Sequence, residues 1–458
     1  MHTTLFDQVW DSHVIADLGG GWALLHVDRH LVQDLSGLTA LEVLGRRGLT
    51  VRNPELAIAT PDHAVSSEPG RTGPGLKSGM QRWRRLRDHS RAAGIPFFDM
   101  GQPGHGIVHV MAPELGLVLP GMTLICGDSH TCTNGAVGAL AFGVGTSEVA
   151  HVLATQTLRQ RKPKRMRIRF AGRLPRGVSP KDLILHLIAK IGTSAGVGHA
   201  IEFAGPAIEA LDVEGRLTVC NLSIELGSKI GMIAPDETTF AWLADRPYAP
   251  CGATLTAALA HWRRLRTDPE AVFDREFEVD ASAVVPTITW GTSPEHAIPI
   301  DGMIPSPRNI EEAAALAYMG LEAERPIVGT PVDNVFIGSC TNGRLSDLRE
   351  AALMARGRRV ADGVQAWVVP GSENVKRQAQ AEGLDRIFVE AGFAWREPSC
   401  SMCAAVNGER VAPKARSVST TNRNFVGRQG PQARTHLASP AVATAAAVRG
   451  VITDPRTL

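Results

Sequence analysis

Short apolar segments alternate with longer helical patterns along the whole chain, and this alternation is typical of an α/β protein. The clearest strand patterns cover residues 122–126, 166–170, 335–337 and 364–369. The clearest helical patterns cover residues 148–159, 180–191, 310–319 and 345–356. Residues that commonly cap helices stand near several of these helix starts. The sequence therefore predicts an α/β fold.

The length of 458 residues corresponds to about three domains, at roughly 150 residues each. Two soft boundaries divide the chain, a basic, proline-containing stretch at 159–165 and a polar, proline-rich stretch near 292–308. We expect an N-terminal α/β lobe at 1–165, a middle α/β lobe at 166–300 and a C-terminal lobe at 301–458. Neither boundary is a long flexible linker, so these lobes are expected to pack tightly.

The balance of charges gives no general reason to expect nucleic acid or a membrane surface as a partner. Lys and Arg number 48 and Asp and Glu number 46, for a net charge of +2. A basic run at 159–169 is more often a solvated strand edge than a docking site. The N-terminus lacks a signal-peptide pattern, and no apolar run approaches the roughly 20 residues of a membrane span. We therefore expect a cytoplasmic protein.

The cysteines are the most informative residues for chemistry. Their number, seven, does not suggest a disulfide framework. Cys340 follows an apolar strand in a Gly/Ser turn, and Cys400 and Cys403 form a CxxC pair sixty residues later. Three such thiolates favour an iron–sulfur cluster, while zinc, a thiol–disulfide pair and inert cysteines remain open. The other four cysteines are predicted to be core residues: Cys126, Cys132, Cys220 and Cys251.

A cluster with three protein ligands would leave one iron open. Cubane clusters usually have four ligands, and an open iron can act as a Lewis acid toward a substrate hydroxyl. This would make the chain a hydro-lyase rather than an electron carrier.

Several carboxylates and histidines stand at predicted strand ends, where a carboxylate can orient a histidine for acid–base work. One such histidine alone is more often structural, but the joint occurrence of several makes a functional role about as plausible as a structural one. The candidates are Asp62, His63, His109, Asp128, Ser129 and His130. Arg423 and Arg428 are also candidates, because guanidinium groups bind carboxylates, although spacing alone favours ordinary surface arginines. Glycine-rich turns at 73–78 and 143–148 do not complete a nucleotide-binding signature.

With these residues in view, the chain resembles the aconitase superfamily, and within it the family of isopropylmalate isomerase large subunits. The resemblance runs from about residue 6 to the C-terminal end. Seven motifs occur in the family's order: Gly106-Ile-Val-His109, Gly127-Asp-Ser-His130-Thr, Cys220-Asn-Leu-Ser-Ile-Glu225, Ala234-Pro-Asp-Glu-Thr-Thr-Phe, Ile337-Gly-Ser-Cys-Thr-Asn, Cys400-Ser-Met-Cys403 and Asn422-Arg-Asn-Phe-Val-Gly-Arg428.

The resemblance implies a three-lobed α/β/α core around an iron–sulfur cluster, lacking the swivel domain of single-chain aconitases. It implies one [4Fe-4S] cluster per subunit, with the ligands Cys340, Cys400 and Cys403. The residues implied to protonate the departing hydroxyl are Asp62 and His63. Those implied to hold the hydroxyl or water at the open iron are His109, Asp128 and His130, with Ser129 beside them. Those implied to lie near the cluster, the water or a substrate carboxylate are Asn221, Glu225, Arg423 and Arg428.

The implied reaction interconverts 2-isopropylmalate and 3-isopropylmalate through a dehydrated alkene, a step of leucine biosynthesis. A related hydro-lyase acting on citramalate, dimethylmalate or homoaconitate is the alternative. The substrate would be a small dicarboxylate, and a separate small subunit with the swivel domain would supply the general base and part of the pocket. An RNA-binding iron sensor and a zinc-bound structural subunit are the other classes considered.

Overall fold

The computed structural model describes residues 2–73 and 75–458 of the chain, in which helices and strands alternate. The helices are α1 (Leu5–Ser12), α2 (Ser36–Arg46), α3 (Lys77–Ala92), α4 (Val108–Glu114), α5 (Thr146–Thr155), α6 (Pro180–Ile191), α7 (Pro206–Glu209), α8 (Val213–Asn221), α9 (Glu237–Leu243), α10 (Gly252–Trp262), α11 (Ile310–Met319), α12 (Ser339–Asn342), α13 (Leu345–Ala355), α14 (Glu373–Ala381), α15 (Leu384–Ala391) and α16 (Pro440–Arg449). The strands are β1 (Val14–Gly19), β2 (Trp22–His26), β3 (Arg29–Val32), β4 (Ala57–Ala59), β5 (Thr123–Cys126), β6 (Leu140–Gly143), β7 (Thr157–Arg161), β8 (Lys164–Ala171), β9 (His199–Ala204), β10 (Ile230–Met232), β11 (Arg275–Asp280), β12 (Thr287–Thr289), β13 (Ala297–Pro299), β14 (Asn334–Ile337), β15 (Gln365–Val368), β16 (Ala394–Trp395), β17 (Arg416–Ser419) and β18 (Arg434–Leu437). The α/β prediction is confirmed.

The predicted helix at 148–159 is wrong at its C-terminal end. Helix α5 stops at Thr155, because Gln156 takes a left-handed conformation with φ of 60° and caps the helix. The next residues form strand β7, which pairs antiparallel with β2. By contrast, the helices predicted at 180–191 and 310–319 have the predicted bounds.

The chain divides into two compact units, each built from separate segments. The first unit comprises the described residues through Asp62, with Gln81–Gly172 and Ala195–Val279. It contains a parallel sheet of order β4-β3-β5-β6, together with sheets of order β1-β2-β7 and β10-β9-β8-β11. At the carboxyl edge of the parallel sheet, β4 leads to Asp62 and β5 leads to Asp128. Binding sites commonly lie at this edge of parallel sheets.

The second unit comprises His63–Met80, Arg173–Ser194 and Asp280–Leu458. Its main sheet is parallel throughout and has the order β16-β15-β14-β17-β18. The carboxyl ends of three of these strands lead to Cys340, Cys400 and Asn422 respectively. Residues that lie far apart in sequence are thus gathered by one sheet edge. The division into three lobes stays a prediction.

The basic run at 159–169 is largely paired with acidic residues. Three arginines of β8 form exposed or partly exposed ion pairs with acidic residues on β11 or directly before it: Arg165–Asp274, Arg167–Glu276 and Arg169–Glu278. Such pairs at the surface contribute little to stability. No helix in the described part of the chain is long and apolar enough to span a membrane.

A buried carboxyl on β9 makes the stability of the fold depend on pH. Glu202 is 6% exposed, and its Oε2 accepts a hydrogen bond of 2.6 Å from the Thr267 hydroxyl. Burial raises the pKa of Glu202 from the ordinary 4.5 to about 7. The contribution of the Glu202 carboxyl to the free energy of unfolding is therefore fully present below pH 4.5, and it is lost as the pH rises through about 7.

The variant Glu202→Gln is expected to raise the free energy of unfolding at pH 8 by about 1–3 kcal/mol, because it removes a buried charge. Near pH 5 the variant and the wild type should differ little. Denaturant unfolding at the two pH values measures this difference. The exposed Glu278→Gln serves as the control, and an equal gain for Glu202→Gln at both pH values would contradict the assignment.

Candidate functional site

Asp128 organises the acid–base residues of the first unit. It follows β5 and caps a 3₁₀ turn, Ser129–Val137, by accepting a hydrogen bond of 2.7 Å from the His130 backbone N–H. The same Oδ1 atom lies 3.3 Å from Nε2 of His109 and 3.5 Å from Nδ1 of His130. One carboxylate oxygen thus lies close to two buried imidazole rings. Ser129 is the first residue of the turn and is partly exposed.

His130 stands between two carboxylates. Its Nε2 lies 3.2 Å from Oε1 of Glu225, which belongs to the short 3₁₀ turn Ile224–Leu226. An imidazole held in this way is suited to receive a proton on one side and release it on the other. Asn221, the last residue of α8, is fully buried, and its amide donates to the Thr133 hydroxyl at 2.8 Å. We call His109, Asp128, His130 and Glu225 the histidine–carboxylate group.

Asp62 supports the helix that carries His109. It is fully buried after β4, and its Oδ2 accepts a hydrogen bond of 3.0 Å from the backbone N–H of Val108. Val108 and His109 are the first two residues of α4. Because the first N–H groups of a helix lack partners within the helix, a carboxylate there satisfies one of them.

In the second unit, Cys340 lies in the tight turn of α12, directly after β14. Ser339 before it has a left-handed backbone, with φ of 79°. A Cβ atom at Gly338 would lie 2.9 Å from the Val369 carbonyl oxygen, so the turn needs glycine there. The buried Arg344 braces the turn by donating hydrogen bonds of 2.6 Å to the carbonyls of Cys340 and Thr341.

The sulfurs of Cys340 and Cys403 share two polar neighbours. The Asn422 side chain places Nδ2 3.4 Å from Cys340 Sγ and Oδ1 3.9 Å from Cys403 Sγ. The Ser339 hydroxyl lies 3.4 Å from Cys403 Sγ and 3.9 Å from Cys340 Sγ. Cys400 caps the 3₁₀ turn Ser401–Cys403, so the CxxC pair shares one turn.

The second unit contains three buried free thiols with polar side chains nearby, and thiolates are the soft ligands that an iron–sulfur or zinc centre requires. The residues Cys340, Cys400 and Cys403 are 6–8% exposed, and none forms a disulfide. Thiolates in such a setting suit an iron–sulfur cluster, whose sulfurs accept hydrogen bonds from surrounding groups. We call these residues the cysteine trio.

Two further predicted residues lie beside the cysteine trio. A ring nitrogen of His63 is within 4.8 Å of Cys400 Sγ. Nη2 of Arg428 lies 3.7 Å from Cys403 Sγ, and its guanidinium carbon lies 5.5 Å from the ring centre of the exposed Phe425. Arg423 lies on the same loop after β17 and is partly exposed.

Glu409 ties the CxxC turn to the segment that follows His63. It accepts hydrogen bonds from the hydroxyls of Ser401 at 2.5 Å and Ser67 at 2.6 Å, and pairs with Arg396 at 3.2 Å. Burial alone would raise the pKa of Glu409, but these hydrogen bonds hold it below its usual value. Ser401, between the two cysteines, has a left-handed backbone with φ of 48°.

Four residues that contact the loops of the cysteine trio had not been assigned a role from the sequence: Lys181, Arg344, Glu409 and Asn422. Lys181 had one available signal, because a lysine in the first turn of a helix opposes the helix dipole. It is fully buried in α6, where burial lowers its pKa to about 7 and Asp347, Cys403 and Cys340, when ionised, act to raise it.

The remaining cysteines follow the prediction with one exception. Cys126, Cys132 and Cys220 are buried, and burial raises the thiol pKa of Cys126 and Cys220 well above its ordinary value. Cys251 is exposed, so its prediction as a core residue is wrong. It occupies the N-cap position of α10, where its side chain makes no capping hydrogen bond, and Trp262 at the far end is the only buried one among the described residues of that helix.

Residues 7–450 match the model of the aconitase family (aconitate hydratase). The chain is 60% identical, over 462 residues, to the 3-isopropylmalate dehydratase large subunit 1 of Bradyrhizobium diazoefficiens. That match covers 99% of this chain and 97% of the Bradyrhizobium protein. It is 52% identical, over 470 residues, to the 3-isopropylmalate dehydratase large subunit of Roseiflexus castenholzii. That match covers 100% of this chain and 99% of the Roseiflexus protein. Among solved structures, the holo-form of aconitase X from Thermococcus kodakaraensis is similar with a TM-score of 0.48 and 13% identity, over 88% of this chain and 84% of that one.

Proposed function

The chain belongs to the aconitase family, and from this premise we propose that it is the large subunit of an isopropylmalate isomerase. The observation that carries the proposal is identity of 60% and 52%, over essentially the full length, to proteins named 3-isopropylmalate dehydratase large subunits. The reaction is a hydro-lyase reaction that converts 2-isopropylmalate to 3-isopropylmalate through a dehydrated alkene.

Membership of the family implies an iron–sulfur cluster. The cluster proposed here is one [4Fe-4S] per chain, held by Cys340, Cys400 and Cys403. The burial of the three free thiols and the amide and guanidinium groups near their sulfurs support this set. When bound, the cluster supplies an open iron that acts as a Lewis acid toward the substrate hydroxyl.

The histidine–carboxylate group holds and moves protons. Hydroxide is a poor leaving group, since the pKa of water is about 15.7, so the departing oxygen needs a proton. Asp62 and His63 are the pair proposed to deliver it. Asp128 keeps the rings of His109 and His130 in place to hold the departing oxygen, and Glu225 exchanges a proton with His130 at 3.2 Å.

Cationic and amide side chains bind and orient the dicarboxylate. Arg423 and Arg428 are proposed to take a substrate carboxylate and to steady the cluster, which the position of Arg428 beside Cys403 Sγ supports. Asn221 and Ser129 are proposed to orient the substrate or its water. Loss of a proton next to a carboxylate builds negative charge, which fixed cations stabilise.

A small subunit is implied by the relatives, which are named large subunits. We propose that this partner supplies the general base that removes the carbon-bound proton, and part of the pocket around the isopropyl group. Discrimination between alkyl groups is then shared by the two chains, because one methylene in an apolar pocket is worth only about 1–3 kcal/mol.

The test is reconstitution of the chain with iron and sulfide without oxygen, followed by addition of the small subunit from the same genome. Alkene formation is then measured from 2-isopropylmalate, citramalate and dimethylmalate. We expect turnover of 2-isopropylmalate with both chains and none with the large chain alone. Preference for a smaller malate would reject the substrate, and failure to bind iron would reject the cluster.

A further inference from the structure

Lys181 is a buried cation directly behind the loops of the cysteine trio. It is the second residue of α6 and is 0% exposed. Its Nζ donates to the Thr421 carbonyl at 2.6 Å, the Thr420 carbonyl at 3.0 Å and Oδ1 of Asn342 at 3.3 Å. Three acceptors match the three N–H groups of an ammonium, whereas a neutral amine would leave one acceptor unused.

These acceptors belong to the two loops that contact the sulfurs. Asn342 follows Cys340 by two residues in α12, while Thr420 and Thr421 lead directly to Asn422. The amide of Asn422 lies 3.4 Å from Cys340 Sγ. The Lys181 side chain therefore joins the loop of Cys340 to the loop of Asn422, whose amide contacts the Cys340 sulfur.

The burial of this lysine is not explained by the fold of its own helix. Lysine is almost never fully buried unless paired, and a cation in the first turn of a helix opposes the dipole. All three partners of Nζ are neutral oxygens. Asp182 beside it is occupied by the N–H of Ser179 and the N–H of Thr287, each at 2.8 Å.

The carboxylates with an attractive effect on the ammonium are Asp347 and Asp182. Asp347 is engaged elsewhere, since it accepts from the Asn342 amide and the Arg344 backbone N–H, each at 2.9 Å. Three thiolates together with the cationic iron–sulfur core would leave a net negative charge in a buried place, and an uncompensated buried charge is costly.

We propose that Lys181 is a positioning residue for the cluster, which holds the loops of Cys340 and Asn422 in register and offsets the net negative charge of the thiolate-bound cluster. This inference rests on the cluster of the proposed function, and it goes further by assigning a residue that never touches the substrate. Lys181 acts on the metal site indirectly, through two backbone carbonyls and the Asn342 side chain.

The test compares Lys181→Met and Lys181→Gln with the wild-type chain after the same anaerobic reconstitution. Met keeps the bulk of the side chain, and Gln also keeps a hydrogen-bond donor, but neither carries the charge. We expect both variants to lose iron to a chelator about tenfold faster, as the loss of charge-assisted hydrogen bonds predicts. The midpoint potential of the cluster should move to a more negative value, which a purely structural defect would not cause.

Arg216→Met is the matched control, because Arg216 is another fully buried cation, paired with Asp236 in the first unit. Its effect on iron loss should be small even if its thermal stability falls. Iron loss and potential equal to wild type in both Lys181 variants would overturn the proposal, as would equal acceleration in Arg216→Met. Failure of both Lys181 variants to fold would assign the lysine to the fold and also overturn it. A wild-type chain that binds no iron would instead reject the proposed function.

Discussion

Cys403→Ser is expected to remove the cluster and to lower turnover of 2-isopropylmalate by at least about 10³-fold. A serine hydroxyl does not ionise near neutral pH and is a poor ligand for iron in place of a thiolate. Cys403 is also the sulfur that Ser339, Asn422 and Arg428 surround. Iron and acid-labile sulfide per chain, together with turnover in the presence of the small subunit, measure the effect.

The control for this variant is Cys220→Ser, which changes a cysteine that is also buried but lies in the first unit. Cys220 is fully buried, so its substitution tests whether a thiol-to-hydroxyl change in the interior is harmful in itself. Cys251→Ser, at an exposed position, should have no effect. If Cys403→Ser kept wild-type iron and sulfide, the proposed ligand set would be incorrect.

Asp128→Asn is expected to lower kcat by about 10²–10⁴-fold while leaving iron and sulfide content unchanged. The variant keeps the size of the side chain, and asparagine caps helical turns as well as aspartate does, so the turn should remain folded. It removes the charge that lies 3.3 Å from His109 Nε2 and 3.5 Å from His130 Nδ1. Both rings then lose the negative charge that lies beside them.

Asp280→Asn is the matched control for that variant. Asp280 also caps a 3₁₀ turn, Ala281–Ala283, by accepting from the Ser282 backbone N–H at 2.9 Å. Loss of a charged cap alone would therefore affect both variants, whereas loss of acid–base chemistry affects only Asp128→Asn. Activity of Asp128→Asn within a few-fold of wild type would remove Asp128 from the proposed proton chemistry.

The sequence was most informative where a short motif follows an apolar strand. Asp128 and Cys340 each stand just beyond a strand whose apolar pattern is clear, and parallel pairing places each of them at the carboxyl edge of its own sheet. The α/β alternation and the helices at 180–191 and 310–319 follow from the same local periodicity. Local spacing also indicated the CxxC pair, although it left the choice between iron–sulfur and zinc open.

The parts that the sequence did not reveal depend on contacts between distant residues. Lys181 meets Thr421 across 240 positions, and Ser67 meets Glu409 across 342. The position of Lys181 in the first turn of a helix is a local signal that this residue is unusual, but no local pattern identifies partners that lie in another segment. The end of α5 was missed for a local reason, since a left-handed Gln156 is unusual where glycine would normally end a helix.

The left-handed serines next to the cysteine trio limit how these loops can change by mutation. Ser339 and Ser401 each occupy a backbone region that costs a residue with a Cβ atom about 1 kcal/mol or more. Glycine would relieve that cost, but it would delete the hydroxyl beside Cys403 Sγ in one case and the hydroxyl bound to Glu409 in the other. A branched side chain would fit neither place. At both positions the change that most favours the backbone would therefore remove a hydroxyl that contacts either a cysteine sulfur or the carboxylate that holds the CxxC turn.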